Sequence, residues 1–498
     1  MKRVAAIASG ALLAAGLLAC GGGSGTGPGT TVTVEGGAPP PAPPPPSSPP
    51  PRGGTGGAHP STVTLERGCP TPRPLPVGAP PAPDLVEVTG VRRQVIGGWG
   101  ASVVSDTFID PLVDTQGFTR AGVRLMDRLV FEDLGIGAMR VFGPGFGRAA
   151  VTATALDRAR DRGFAFMRRV APLGVRFMFT AARAPAAFTD GARLRDGAEP
   201  GYARWIASYL RFSQDVVGVP FAFAAIGNEP DNNRSRLTIT PDQAAKVYTA
   251  LAGEIRRQGL PTKLVLGDTT GWGSACPYAD ALLADATARE AAVAFATHPY
   301  SGTVGQARGL AAKATLAGLP TWQTEWGTGC ATCREDDSVE RALRWSRKIA
   351  EDLSGPEVTV WFAFRAVADA AHGPGDALIV RIRRGGRSRL YLTKRYFVMR
   401  QWTGAAPPGA VRVAVRSAVP GLWALAFRRP RRTALVLTNS AGVSRRLRLD
   451  LGSRRGRVSV RRTSSTERFA PLASLRYSGR PAPVVVAPRS VTTYVLAN

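Results

Sequence analysis

The chain has 498 residues, with 64 Lys and Arg against 36 Asp and Glu and a formal charge of +28. Charge of that size raises nucleic acid as a partner, but nearly all of it is arginine, spread along a chain also rich in Ala, Gly and Pro and with no recognised nucleic-acid motif. Nucleic acid is therefore set aside, an acidic polysaccharide or an anionic envelope surface is the better reading of the charge, and no stretch beyond the first twenty residues is apolar enough to span a bilayer.

Residues 1–19 read as an export signal. Lys2 and Arg3 precede an apolar run over 4–19 that is too short for a membrane span. The run ends Leu17-Leu18-Ala19-Cys20, which resembles the box cut by the lipoprotein signal peptidase. Cys20 is then the expected lipidated N-terminus, and the protein is exported and anchored to the cell envelope; plain secretion after a signal with a chance cysteine is the alternative. Residues 20–83 are Gly- and Pro-rich, combining slack with extension, and form a tether without a core.

From about residue 84 short apolar runs alternate with helical patterns. The strands are expected at 94–98, 138–142, 175–180, 221–226, 264–267, 293–297, 320–325 and 358–364. Among the helices are 203–217 and 241–259, the second opened by Thr240 as N-cap and closed by Gly259. Eight such repeats predict an α/β protein, a (β/α)8 TIM barrel over 84–384. A doubly wound open sheet would want a phosphate-binding glycine loop, and neither G-x-x-x-x-G-K-[ST] nor G-x-G-x-x-G is present. After about 385 the helical period disappears. Strand-like runs near 391–393, 411–415, 423–427, 434–438, 457–460 and 492–496 predict a C-terminal β-sandwich over 385–498, joined by a strand within 85–93. With Cys20 lipidated, Cys69, Cys276, Cys330 and Cys333 allow three disulfide pairings outside the cytoplasm. Cys330-x-x-Cys333 lacks a second pair for a zinc site.

Barrels carry chemistry at the C-terminal ends of their strands. Strand four ends Ile226-Gly227-Asn228-Glu229-Pro230, and strand seven ends Gln323-Thr324-Glu325-Trp326-Gly327. A glutamate closing an apolar strand is costly unless used or paired. Two at one face form the carboxylate pair that glycoside hydrolysis requires, one to protonate the leaving oxygen and one to attack the sugar or activate water. Asp106 and Asp268 also lie near strand ends, with nothing to mark them beyond substrate contact.

Asn-Glu-Pro after strand four and Thr-Glu-aromatic after strand seven resemble the clan A retaining glycosidases. Further segments resemble glycoside hydrolase family 30: Gln94-Val-Ile-Gly-Gly-Trp-Gly-Ala-Ser102, Met139-Arg140-Val141, Lys394-Arg-Tyr-Phe397, Pro408-Gly-Ala-Val-Arg-Val413 and Pro488-Arg-Ser-Val-Thr-Thr-Tyr-Val-Leu496. The resemblance implies Glu229 as general acid/base and Glu325 as nucleophile. It places Asn228 on the sugar 2-hydroxyl, Arg140 beneath the nucleophile, and His298-Pro299-Tyr300 after strand six with Tyr300 donating to Glu325. It also implies Trp361 as the floor of the sugar subsite, and Trp326 is a further candidate for substrate binding. The implied substrates include glucosylceramide, β-1,6-glucan, β-1,6-galactan and xylan, cleaved without metal or organic cofactor by a monomer. One departure is that the family's Ser-Pro-Trp after strand three is here Thr180-Ala-Ala-Arg-Ala-Pro185, so that Arg183 is a candidate contact for an acidic sugar. The rival readings are a clan A β-glucuronidase-like glycosidase, a non-catalytic carbohydrate-binding lipoprotein on the same scaffold, and a basic envelope protein that binds polyanions by charge.

Overall fold

The computed structural model describes residues 66–72, 81–103, 118–143, 163–232, 237–328, 337–372, 375–384 and 387–497. The export signal, Cys20, Asp106, Cys330 and Cys333 lie outside them. Among the described residues no helix is long and apolar enough to cross a membrane.

Eight parallel strands close into a barrel. In ring order they are Gly98–Val103, Ala138–Gly143, Arg176–Ala181, Phe223–Ala225, Lys263–Thr269, Ala292–Thr297, Thr321–Trp326 and Val360–Ala363, which pairs back onto Gly98–Val103. They are numbered one to eight below. The expected (β/α)8 barrel is present. Side chains alternate across each strand. Met178, Phe223, Val265, Trp322, Val360 and Phe362 fill the lumen, while the other parity packs under the helices. The lumen is crowded enough that strand one contributes Gly100, where a Cβ would lie 2.4 Å from the Phe362 ring.

Helix Pro241–Arg257 is opened by a full capping box between Thr240 and Gln243 and is followed by Gly259 at φ +64°, as its sequence predicts. Strand one begins four residues later than expected. Residues 85–95 are instead a single long strand, Leu85–Val95, which pairs antiparallel with Val411–Ser417 and parallel with Arg445–Asp450 in a nine-stranded sheet. The half-exposed pattern of 85–95 belongs to that sheet, and the fully buried Gly98–Val103 belongs to the barrel.

Two segments past strand eight differ from expectation. Arg387–Leu392 pairs with Ala377–Arg384 and through it with Arg365–Asp369 in a separate three-stranded sheet. Lys394–Ala405 is a twelve-residue helix where no helical period was apparent. It is buried nearly all round, and contacts both helix Val339–Ser354 and the nine-stranded sheet. A helix without a solvent face shows no apolar stripe. Far upstream, Cys69 is bonded to Cys276, which resolves one of the expected bridges.

Candidate active site

The site is built from residues in register with the lumen. On strand two Arg140 follows Ala138 at the same parity and is fully buried. Strand six continues its lumen row, Ala294 and Ala296, into His298. Strand four is short, and its extension Asn228-Glu229 is held by backbone bonds from Asn228 to Ala181 (3.0 Å) and from Glu229 to Asp268 (2.9 Å).

Strands five and seven each carry one extra residue. On strand seven the pairing steps from Gln323↔Trp361 to Trp326↔Ala363, three residues against two. On strand five it steps from Gly267↔Ala296 to Thr269↔Thr297, two against one. Such bulges re-aim side chains. The first turns both Thr324 and Glu325 to the site and throws Trp326 outward. The second turns Asp268 inward, at φ +59°. Glu229 has φ +51°, so two of the site's carboxylates stand on left-handed backbone, a conformation that costs on the order of 1–3 kcal/mol and persists where surroundings enforce it.

These groups form one buried network. Arg140 donates to Glu325 Oε2 at 2.6 Å, to Asn228 Oδ1 at 2.6 Å, to Asp268 Oδ2 at 2.7 Å and to Thr180 at 3.2 Å. Tyr300 donates to Glu325 Oε1 at 3.0 Å. His298 sets Nδ1 3.0 Å from Glu229 and Nε2 3.2 Å from Asp268. Thr324 donates to Asp268 at 2.6 Å, and Asn232 to Glu229 at 3.0 Å. One oxygen of Glu229, one of Glu325 and a ring nitrogen of His298 lie within 4.8 Å of one another. That spacing would also suit a metal ion, but here the donors are already turned on each other: Arg140 and Tyr300 hold the two Glu325 oxygens, and His298 spans Glu229 and Asp268.

Three carboxylates face two cations. Burial alone would lower the pKa of His298, but Glu325, Asp268 and Glu229 raise it to about 10, so both ring nitrogens carry protons. Burial also works against the Arg140 charge, and Asp268 and Glu325 outweigh it. Asp268 is held far below the usual carboxylate range, because Arg140 and His298 overcome its burial. Burial pushes Glu229 up, but the bond and charge of His298, then Asn232 and Arg140, bring it below its ordinary value. Burial raises Glu325, and the adjacent Glu229 charge adds to that against the pull of His298, Arg140 and Tyr300.

Glu229, Glu325, Asn228, Arg140, His298 and Tyr300 are thus brought together. Trp361 and Trp326 are not. Trp361 lies between lumen-facing Val360 and Phe362 and points away from the lumen, wholly buried, with Nε1 donating to Asp352 at 3.0 Å. It packs on Trp345 of helix Val339–Ser354 at 5.5 Å between ring centroids, and Trp326 meets the same ring at 5.4 Å. Neither can be a subsite floor. Trp99, similarly buried, donates to Ala406 O. Asp268, which sequence reasoning left without a role, is central. Its only signal was its place after the apolar run Leu264-Val-Leu-Gly267. Arg183 is half-buried on the loop beyond strand three.

Residues 219–379 match the family model described as the glycosyl hydrolase catalytic core, a span that holds both glutamates, Asp268, His298 and Tyr300. No curated protein matches the sequence. Among solved structures, a GH30 endoxylanase from Clostridium papyrosolvens aligns with a TM-score of 0.64 at 18% identity, covering 83% of this chain and 100% of that one. The catalytic domain of GH30 xylanase C from Talaromyces cellulolyticus gives 0.65 at 17%, covering 83% and 100%. An endo-β-1,6-glucanase gives 0.65 at 16%, covering 84% and 94%. The chain therefore carries a glycosyl hydrolase catalytic core on a fold like that of the family 30 enzymes.

Proposed function

We propose that this glycosidase cleaves β-glycosides with retention of configuration, Glu325 acting as nucleophile and Glu229 as acid/base. The observation that carries the reading is the separation of the two carboxylates. Retaining pairs stand about 5–5.5 Å apart, whereas inverting pairs need about 6.5–9.5 Å for a water between them. Here one oxygen of each lies within 4.8 Å of the other.

Glu325 attacks the anomeric carbon while Glu229 gives a proton to the departing oxygen. A water then enters, Glu229 takes its proton, and the glycosyl–Glu325 ester is hydrolysed. Arg140 and Tyr300 occupy Glu325 lone pairs and hold its orientation. The proton that Glu229 must supply stands one hydrogen bond away, on His298 Nδ1 at 3.0 Å. Substrate that displaces water adds to the desolvation that raises Glu229 and lowers His298, and so favours their neutral forms. Transfer from His298 to Glu229 then replaces an ion pair by a neutral acid and a neutral imidazole, which still donates from Nε2 to Asp268. The site thus keeps its acid proton stored until a sugar arrives.

The substrate is a β-linked polysaccharide or oligosaccharide of the envelope or its surroundings, reached from a lipid anchor at Cys20 through the tether. Proton NMR of the first-formed sugar from an aryl β-glycoside tests the mechanism. The β anomer is expected first, with turnover lost by orders of magnitude in Glu325→Ala and Glu229→Ala. First appearance of the α anomer, or wild-type turnover in both variants, refutes it.

A further inference from the structure

The positive charge is not evenly placed. From residue 411 onward there are 18 Arg, no Lys, one Asp and one Glu, a net +16, which leaves +12 for the 410 residues before. Coding bias toward arginine would spread the charge along the whole chain. Both acids of the segment are already engaged. Asp450 accepts from Tyr477 and the Gly452 amide, and Glu467 accepts from Arg462 and Ser464.

At one edge of the nine-stranded sheet, strands Gly456–Thr463 and Ala470–Tyr477 form the floor of an open groove of about 610 Å³. Exposed Arg455, Arg457 and Arg476 line it with Ser474, Leu475 and Tyr477, and no acid does. Arg457 and Arg476 are direct cross-strand partners, and like charges so placed destabilise a sheet. Arg457 is steadied by the Ser474 hydroxyl at 2.8 Å, a neutral group that leaves its charge uncompensated. A groove of this volume falls within the range of about 300–1,000 Å³ that holds a small ligand.

We propose that this groove binds an anionic polysaccharide, a run of uronate-type sugars whose carboxylates meet Arg455, Arg457 and Arg476. The concave shape favours a flexible chain over a flat bilayer. The arginine forks suit carboxylates through paired N–H donors. The site stands apart from the barrel chemistry and does not rest on it.

The test is calorimetric titration of the full chain with polygalacturonate, with its fully methyl-esterified form as the neutral control. Wild type should bind the charged polymer and not the ester. Arg457→Glu with Arg476→Glu should weaken binding by roughly tenfold or more. Arg445→Glu with Arg446→Glu makes the same change in net charge on the strand next to the sheet's other edge, and should leave affinity within about twofold at physiological salt. Should the reversals disturb the sheet, Arg457→Ala with Arg476→Ala gives a smaller loss in the same direction. Absence of wild-type binding, equal binding of the ester, or equal weakening by the two double reversals overturns the proposal. So does stronger capture by phosphatidylglycerol vesicles through these arginines.

Discussion

Replacing Asp268 by asparagine keeps the shape of the side chain and removes one charge from the centre of the site. Asp268 accepts from Arg140 at 2.7 Å, Thr324 at 2.6 Å and His298 at 3.2 Å. An amide offers one acceptor, and its N–H group must face a donor. Arg140 retains Glu325 and Asn228, so His298 bears most of the loss. Breaking a buried ion pair costs about 3–5 kcal/mol. The lower end applies because the isostere keeps one acceptor and opens no cavity. With about 2.1 cal/mol/K of unfolding entropy per residue over roughly 400 ordered residues, about 3 kcal/mol lowers the thermal midpoint by roughly 3–4 °C. The pH dependence is the sharper readout. His298 is raised from 6.5 to about 10, so its stabilisation is complete below about 6.5 and is lost as pH rises through about 10. In Asp268→Asn the folded value falls, so the stabilisation should be smaller and fully lost at a lower pH, and the alkaline limb of kcat/KM should move down with it. Melting curves and rates on an aryl β-glycoside between pH 5 and 10 measure both. A variant with the wild-type midpoint and an unmoved alkaline limb refutes the role assigned to Asp268. A lower midpoint with an unmoved limb reduces Asp268 to a structural part.

Tyr300→Phe removes the 3.0 Å hydrogen bond to Glu325. A bond to a charged group contributes about 1.5–3 kcal/mol, so kcat/KM should fall roughly ten- to hundredfold while the midpoint falls by no more than about 2–4 °C. Gly100→Ala sets a Cβ 2.4 Å from the Phe362 ring. Calorimetry should show about 1–3 kcal/mol of destabilisation. Opening the Cys69–Cys276 bridge, which spans 207 residues, removes up to about 5 kcal/mol on the chain-entropy model, and the midpoint should fall on addition of dithiothreitol but not in Cys69→Ser with Cys276→Ser. If Arg183 meets an acidic sugar, uronic-acid aryl glycosides should be cleaved in preference to neutral ones, and Arg183→Ala should abolish the preference.

What the sequence disclosed depended on whether local pattern was enough. Glu229 and Glu325 stood out because each falls at or just past the C-terminal end of a strand within a recognisable motif, Asn228-Glu229-Pro230 and Thr324-Glu325-Trp326, and His298 and Tyr300 keep a two-residue spacing that follows strand parity. Asp268 was not legible as a partner. Its direction is set by a one-residue bulge, and a bulge is a relation between two strands. Trp361 was misjudged for a related reason, since an aromatic residue in a fully apolar strand does not reveal which face is the lumen. Trp326 was carried outward by the bulge that brought Glu325 inward. The helix Lys394–Ala405 has no polar face to betray its period, and Gln94 and Val95 sit at the junction where one strand ends and the barrel begins.

The cluster of Trp326, Trp345 and Trp361 makes the protein self-reporting. Their rings lie 5.4–6.2 Å apart at inclined angles, close enough for their excited states to couple and leave a paired band in near-ultraviolet circular dichroism. The coupling joins strand seven, strand eight and the helix that covers them, so lifting the helix removes the two Trp345 pairs and leaves only the Trp326–Trp361 pair, weakening the band even if both strands survive. Trp326 also follows Glu325 in sequence, and if Glu325 is the nucleophile proposed above, its loading with a slow fluorinated sugar should perturb that band. Barrel closure and site occupancy are therefore open to optical measurement on the unlabelled chain.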